Sequence, residues 1–138
     1  NNGATLKKFG KLVGALVAEE GVNEKMAEFI TPIAILGEQM TKFTTEIGFK
    51  GFQNPDEVGA AAVDYLRVAG HLVFGYFWAR MAQVALREMA AGNTDPFYVA
   101  KLQTARFYFA KLFPETATLM RTARTGSKVL MDTDAALA

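Results

Sequence analysis

The residues best equipped for chemistry lie in "AGHLVFGYFWARMAQVAL", residues 69–86, which holds the only histidine, His71, and the only tryptophan, Trp78. An imidazole in such a place could act as a general base, a metal ligand or a haem ligand. Each role needs partners, and the sequence supplies few. A catalytic triad requires a nucleophile, whereas the one serine, Ser127, lies far along the chain in a tail-like segment. A di-iron bundle requires two Glu-x-x-His pairs, which a single histidine cannot provide. The absence of cysteine excludes disulfides, thiolate metal sites and c-type haem attachment together. A b-type haem held by His71 and a facing methionine such as Met40 is the remaining ligation scheme. The residues favour a histidine satisfied inside a packed interior.

Other groups lead to the same kind of reading. The carboxylate pairs Glu19 with Glu20 and Glu24 with Glu28 are expected on solvated faces. The glycines of "VGALVAEEG" and "AGHLVFG" form no phosphate loop, because no Gly-rich turn ending in Lys and Ser or Thr leads from a strand into a helix. Arg80, Lys101 and Arg106 stand among aromatics, where an unpaired buried charge would be costly. They are expected to pair between helices or to snorkel to the rim, with contact to an anion or coenzyme as the functional alternative. Asp64 and Arg67, three apart, are placed to pair along one helix face.

Helices must position these groups. Leu6, Phe9, Val13, Leu16 and Val17 recur at helical spacing, giving a first helix that ends near Gly21. Asn23 can cap the next, whose stripe runs from Met26 through Phe29, Ile33, Met40 and Phe43 to Ile47, with Pro32 kinking it or marking a later start capped by Thr31. "GFKGFQNPDE" reads as a glycine-rich break that ends in a start signal, with Asn54 as cap, Pro55 at the first helical position and Asp56 and Glu57 at the positive end of the dipole. From Val58 to Ala91 the helical pattern is unbroken, and its apolar residues on all sides place it at the centre, with Phe74, Tyr76, Phe77 and Trp78 in core and interface packing. Gly92 stops it, Thr94 or Asp95 caps the last long helix, Pro114 should bend or split that helix, and Gly126 should end it. The expected fold is all-α, an antiparallel bundle of about four long helices. A bundle domain over 1–126 and a tail over 127–138 are the expected divisions.

Composition narrows the partners. A chain of 138 residues is one domain in size, and its 51% hydrophobic and 21% charged content is that of a globular protein. Fifteen Lys and Arg against fourteen Asp and Glu leave a formal charge of +1, too little excess for nucleic acid. Arg67 and Arg80 bracket a stretch too short to span a membrane. The N-terminal "NNGATLKKFGKLVGALV" has lysines before an apolar patch, but the patch is short, broken by glycines and followed by no Ala-x-Ala site. Beginning at Asn1 rather than Met, the chain is expected to be a processed product or a piece of something longer. A reducing cytoplasm is the expected compartment.

The run "AAAVDYLRVAGHLVFGYFWARMAQVAL", followed by "KLQTARFYFAKLFPETATLM" and "TGSKVLM", resembles the extra C-terminal helical domain of larger members of the acyl-CoA dehydrogenase family. The shared pattern falls on Asp64, Tyr65 and Leu66, on Gly70, on Trp78, Ala79 and Ala82, on Lys101, Leu102 and Thr104 through Tyr108, and on Pro114. It covers about half of the chain by motif and the first two helices by period and length. The resemblance implies a flavoenzyme that oxidises an acyl-CoA thioester to its 2-enoyl form and passes electrons from FAD to an electron-transfer flavoprotein. A carboxylate removes the proton alpha to the carbonyl while hydride leaves the beta carbon for the flavin.

In such enzymes the base looks to lie in a Glu-Gly-Thr segment upstream of this domain, whereas here Val22 follows the only Glu-Gly, Glu20 and Gly21. The catalytic base and the flavin domain are therefore expected outside this chain, which alone should hold no cofactor and be inactive. Asp64, Tyr65, His71, Trp78, Arg80, Lys101, Arg106 and Tyr108 become candidates for structural or interface roles. The expected partners are the rest of the dehydrogenase chain and further copies in a homo-oligomer. Two other readings stand beside this one. A free-standing interaction module would use Phe49, Phe52, Phe97 and Phe113 as a partner surface, and a small-molecule pocket would lie between helices lined by methionine and aromatic side chains.

Overall fold

A computed structural model describes residues 3–132, and among these every regular element is helical. Helix α1 spans Ala4–Glu20, a 3₁₀ turn Glu24–Met26, α2 Ala27–Gln53 and α3 Asp56–Ala90. The last long helix is divided: α4 over Pro96–Phe107, a π-helical turn over Tyr108–Leu112 and α5 over Glu115–Ala123, before a short α6 over Lys128–Met131. The bundle expected from the periodicity is present, with its fourth member split at the proline. Pro114 has no N–H, and its ring would crowd the carbonyl of Ala110, so the chain widens ahead of it. The Phe113 amide then bonds the Tyr108 carbonyl, five residues back, at 2.9 Å. Widening turns both Tyr108 and Phe113 inward, each 6% exposed.

Local signals set most helix ends. Asn23 accepts from the Lys25 amide at 3.2 Å, although the turn it caps is 3₁₀ and α2 proper begins at Ala27. Asp95 accepts from the Phe97 amide at 2.9 Å with Pro96 beside it, and Gly92 leaves α3 at φ +88°, which L side chains rarely adopt. Pro32 stays inside α2, removing one backbone hydrogen bond without ending the helix. The glycine-rich break does not form: α2 runs through Gly48 and Gly51 to Gln53, and only Asn54 and Pro55 separate it from α3. Gly51 serves close approach instead, because a Cβ there would collide with the Val58 side chain on the first turn of α3.

α3 packs against α2, α4 and α5, and α1 lies against α2. Phe29, Ile33 and Phe43 of α2 and Val68, Ala79 and Ala82 of α3 are completely buried at the centre. Gly75 lets this centre close, since a Cβ there would come within 2.9 Å of the Phe113 ring and 3.0 Å of Ile33 Cγ2. The expectation of neighbours on most faces of α3 holds for only part of its surface. Val63, Leu66, Phe74, Phe77 and Val84 form an uncovered apolar stripe, with Leu66 73% and Phe74 59% exposed. No helix among the described residues is long and apolar enough to cross a membrane.

Candidate functional site

A polar seam runs between α3 and the segment on either side of the π turn. His71 sits one helical turn after Arg67 and two after Asp64, so all three present to the same side of α3. Its Nε2 lies 2.8 Å from Glu115 Oε2 on α5, and its Nδ1 lies 2.9 Å from the Tyr108 hydroxyl. An ionised carboxylate can only accept, so Nε2 carries a hydrogen, and on the neutral ring Nδ1 accepts from Tyr108. That hydroxyl is also 3.2 Å from the His71 carbonyl oxygen, so its single proton stands between two acceptors of one residue.

Charge reinforces the seam. Arg67 donates to the other oxygen of Glu115. The hydrogen bond from His71 holds the Glu115 carboxyl below the ordinary range, partial burial works against it, and the Arg67 guanidinium adds to the lowering. Burial pushes the Tyr108 hydroxyl up to about 12, so it stays protonated as a donor. Trp78 stacks on Tyr108 with ring centroids 6.3 Å apart, and the Lys101 ammonium sits 6.0 Å from the Trp78 ring. Lys101, Trp78, Tyr108, His71, Glu115 and Arg67 thus form one continuous chain of contacts.

The remaining sequence candidates tie other pairs of helices. Asp64 accepts from Thr122 at 2.7 Å, joining α3 to α5. The expected pair of Asp64 with Arg67 does not form, because cross-helix partners on α5 take both groups. Tyr65 meets Thr44 of α2 hydroxyl to hydroxyl at 2.6 Å. Arg80 reaches Glu19 of α1 at 3.5 Å and Gln83 at 3.0 Å, and Arg106 of α4 grips both oxygens of Glu28 on α2 at 2.8–3.1 Å. Glu19 and Glu28 are therefore paired, and Glu20 departs furthest from a solvated position. It is 9% exposed and receives hydrogen bonds from Gln83 and Asn23. Ser127 is 5% exposed and donates to Glu57, which its hydroxyl and amide hold below the ordinary carboxylate range.

Glu115, Gln83, Glu57 and the inward role of Glu20 escape sequence reasoning, since each depends on a partner more than forty positions away. Glu115 and Glu57 carried a local signal, an acid in the first turn after a helix-starting proline, which points to the helix dipole and not to the partner. Phe113, expected on a partner surface, is buried against Phe109, while Phe49 and Phe52 are exposed at 70% and 94%.

The seam has the residue types of a proton relay but gives no room for a substrate. Both ring nitrogens of His71 are engaged, the grooves between α2 and α5 and between α1 and α2 are lined by other residues, and the groove between α3 and α4 touches the seam only at Lys101. Ser127 bonds Glu57 rather than an imidazole. Among the described residues no group of three or more His, Asp or Glu is placed to hold a metal ion, and every buried side-chain nitrogen or oxygen has a partner. These features define a helical bundle domain fastened by polar ties between helices. The family model described as acetyl-CoA dehydrogenase C-terminal like matches residues 6–134, and the chain belongs to this family. No curated protein matches the chain closely enough to carry a comparison.

Proposed function

We propose that this chain is the C-terminal domain of a cytoplasmic, FAD-dependent acyl-CoA dehydrogenase, and that it covers part of the enzyme core and contributes subunit contacts. The observation that carries this reading is the bare side of α3. A helix apolar on every side belongs in an interior, yet Val63, Leu66 and Phe74 face outward. The rest of the dehydrogenase is the surface that fits against them. The whole enzyme, a homo-oligomer, oxidises an acyl-CoA to its 2-enoyl form and delivers the electrons to an electron-transfer flavoprotein.

The flavin, which would accept the hydride, belongs to another part of the enzyme. The groove of about 570 Å³ between α2 and α5 is lined by Pro32, Ile35, Leu36 and Met120 together with Gln39, Thr116, Arg121 and Arg124, and no glycine-rich turn for a pyrophosphate faces it. Glu20, in the only Glu-Gly pair, is held by Gln83 and Asn23 and is not available as a base. The chain's own residues therefore act by positioning: the His71 seam fixes α5 on α3, and the Arg106 and Arg80 pairs fix α4 and α1.

The test is the mass of the native polypeptide carrying this segment, by immunoblot of source cells followed by the absorbance of the immunopurified protein. A band several times larger than 15.1 kDa, yellow with flavin and active on acyl-CoA, is expected. A colourless band at 15.1 kDa refutes the proposal and favours a free-standing interaction module presenting Phe49 and Phe52.

A further inference from the structure

We infer that one helix of the dehydrogenase core, from the same polypeptide, lies along the bare side of α3 and comes closest at Gly70, where it seats a bulky apolar side chain. Such a helix exists only if the chain is the C-terminal domain of a larger enzyme, so the inference rests on that reading. Val63, Leu66, Gly70, Phe74, Phe77 and Val84 follow one another at three, four or seven residues, which puts them on one side of α3, and none is polar. All but Gly70 are exposed. Arg67 and Arg80, which border this row, are drawn to Glu115 and Glu19 inside the domain. Gly70 stands one turn from Leu66 and one turn from Phe74, and a Cβ there would meet nothing within 4 Å. The domain's own packing has no use for this glycine, in contrast to Gly75, whose missing side chain makes room for Phe113 and Ile33. A notch floored by backbone and walled by Leu66 and Phe74 is a hole of the kind that a knob from a neighbouring helix fills.

Shape and area select the occupant. This face of α3 offers no free backbone N–H or C=O, so a strand edge or a loop laid on it would leave polar groups without partners, whereas a helix satisfies its own backbone. From Val63 to Val84 the row runs about 32 Å and is about one helix wide. Its exposed side chains present roughly 550 Å² of accessible surface, or about 1,100 Å² with an equal share from the partner. That is the size of a contact between domains of one chain and falls short of the about 1,200 Å² at which specific complexes of free proteins begin. A covalent tether makes up the difference by raising the local concentration. The path of the chain agrees. In the dehydrogenase reading the core precedes α1, and α1 brings Phe9 to Tyr76 with ring centroids 5.5 Å apart, while Tyr76 meets Phe77 of the row at 5.3 Å. The core therefore joins the domain beside the surface it covers.

The test uses the full-length enzyme. With the photoreactive p-benzoylphenylalanine in place of Phe74, irradiation is expected to give a crosslinked product of unchanged monomer mass, in which the Phe74 peptide is joined to a helical peptide of the core. Gly70→Leu fills the notch, where the domain itself has room, and should hold the two helices apart. Labelling of the thiol in Val63→Cys by a maleimide is therefore expected to run about tenfold faster with Gly70→Leu than without it. Hydrogen exchange of the amides around Phe29 and Ile33, unchanged by Gly70→Leu, verifies that the domain stays folded; if it does not, the crosslink alone decides. A crosslinked product of doubled mass, a link to a different protein or to a strand or loop of the core, no crosslink, or labelling no faster with Gly70→Leu would each overturn the inference and leave the dehydrogenase reading standing. A native polypeptide of 15.1 kDa overturns both.

Discussion

Two glycines one and a half turns apart on α3 should respond in opposite directions to the same methyl group. At Gly70 a Cβ would meet nothing within 4 Å, so Gly70→Ala replaces a helix-interior glycine without a clash. The expected gain is about 0.5–1 kcal/mol, from helix propensity and reduced freedom of the unfolded chain. At Gly75 the same gain applies, but the new Cβ would stand 2.9 Å from Phe113 Cε2 and 3.0 Å from Ile33 Cγ2. Neither neighbour can yield easily, since Ile33 is completely buried and Phe113 is wedged against Phe109, Tyr108 and His71. Overpacking of this kind costs roughly 1–3 kcal/mol, which exceeds the propensity gain, so Gly75→Ala should be destabilising by about 1 kcal/mol net. The two variants should then differ by about 2 kcal/mol, or roughly 6–10 °C in melting temperature for a domain of this size. Urea denaturation and thermal melts of both proteins measure it. If Gly75→Ala is as stable as Gly70→Ala, the close approach of α2 and the π turn to α3 is wrong.

The His71 seam makes two further predictions. Tyr108→Phe removes the donor to His71 Nδ1 and should lower the unfolding free energy by about 1–2 kcal/mol in urea, and no loss would mean that the bond is not formed in solution. Glu115 holds its proton less tightly folded than unfolded, so its contribution is present above the ordinary value of 4.5 and is lost as pH falls through the lower folded one. Stability measured from neutral pH downward should therefore decline in that acid window, with Glu46 and Glu57 contributing in the same direction. Glu115→Gln should flatten part of the slope, and an unchanged slope would remove Glu115 from the pairing.

What the sequence determined was what periodicity and punctuation encode. Stripes such as Phe29, Ile33, Met40 and Phe43 require a helix with one buried side, and Asp95 with Pro96 starts α4 by chemistry contained within a few residues. The motif around Asp64, Trp78 and Lys101 through Tyr108 likewise announced the family, because it is a pattern of residue types rather than of contacts. Local signals misled where one residue type serves two purposes. Gly48 and Gly51 read as a turn, yet α2 continues through them, and at Gly51 the missing side chain leaves the space that Val58 fills. Arg67 was matched to Asp64 by spacing, and the fold gave it Glu115 from another helix. Burial of Glu20 beneath Gln83, the inward turn of Tyr108 and Phe113, and the bare stripe from Val63 to Val84 were decided by tertiary structure alone. Periodicity records how apolar a face is, but which element covers that face depends on helices brought together from distant parts of the chain.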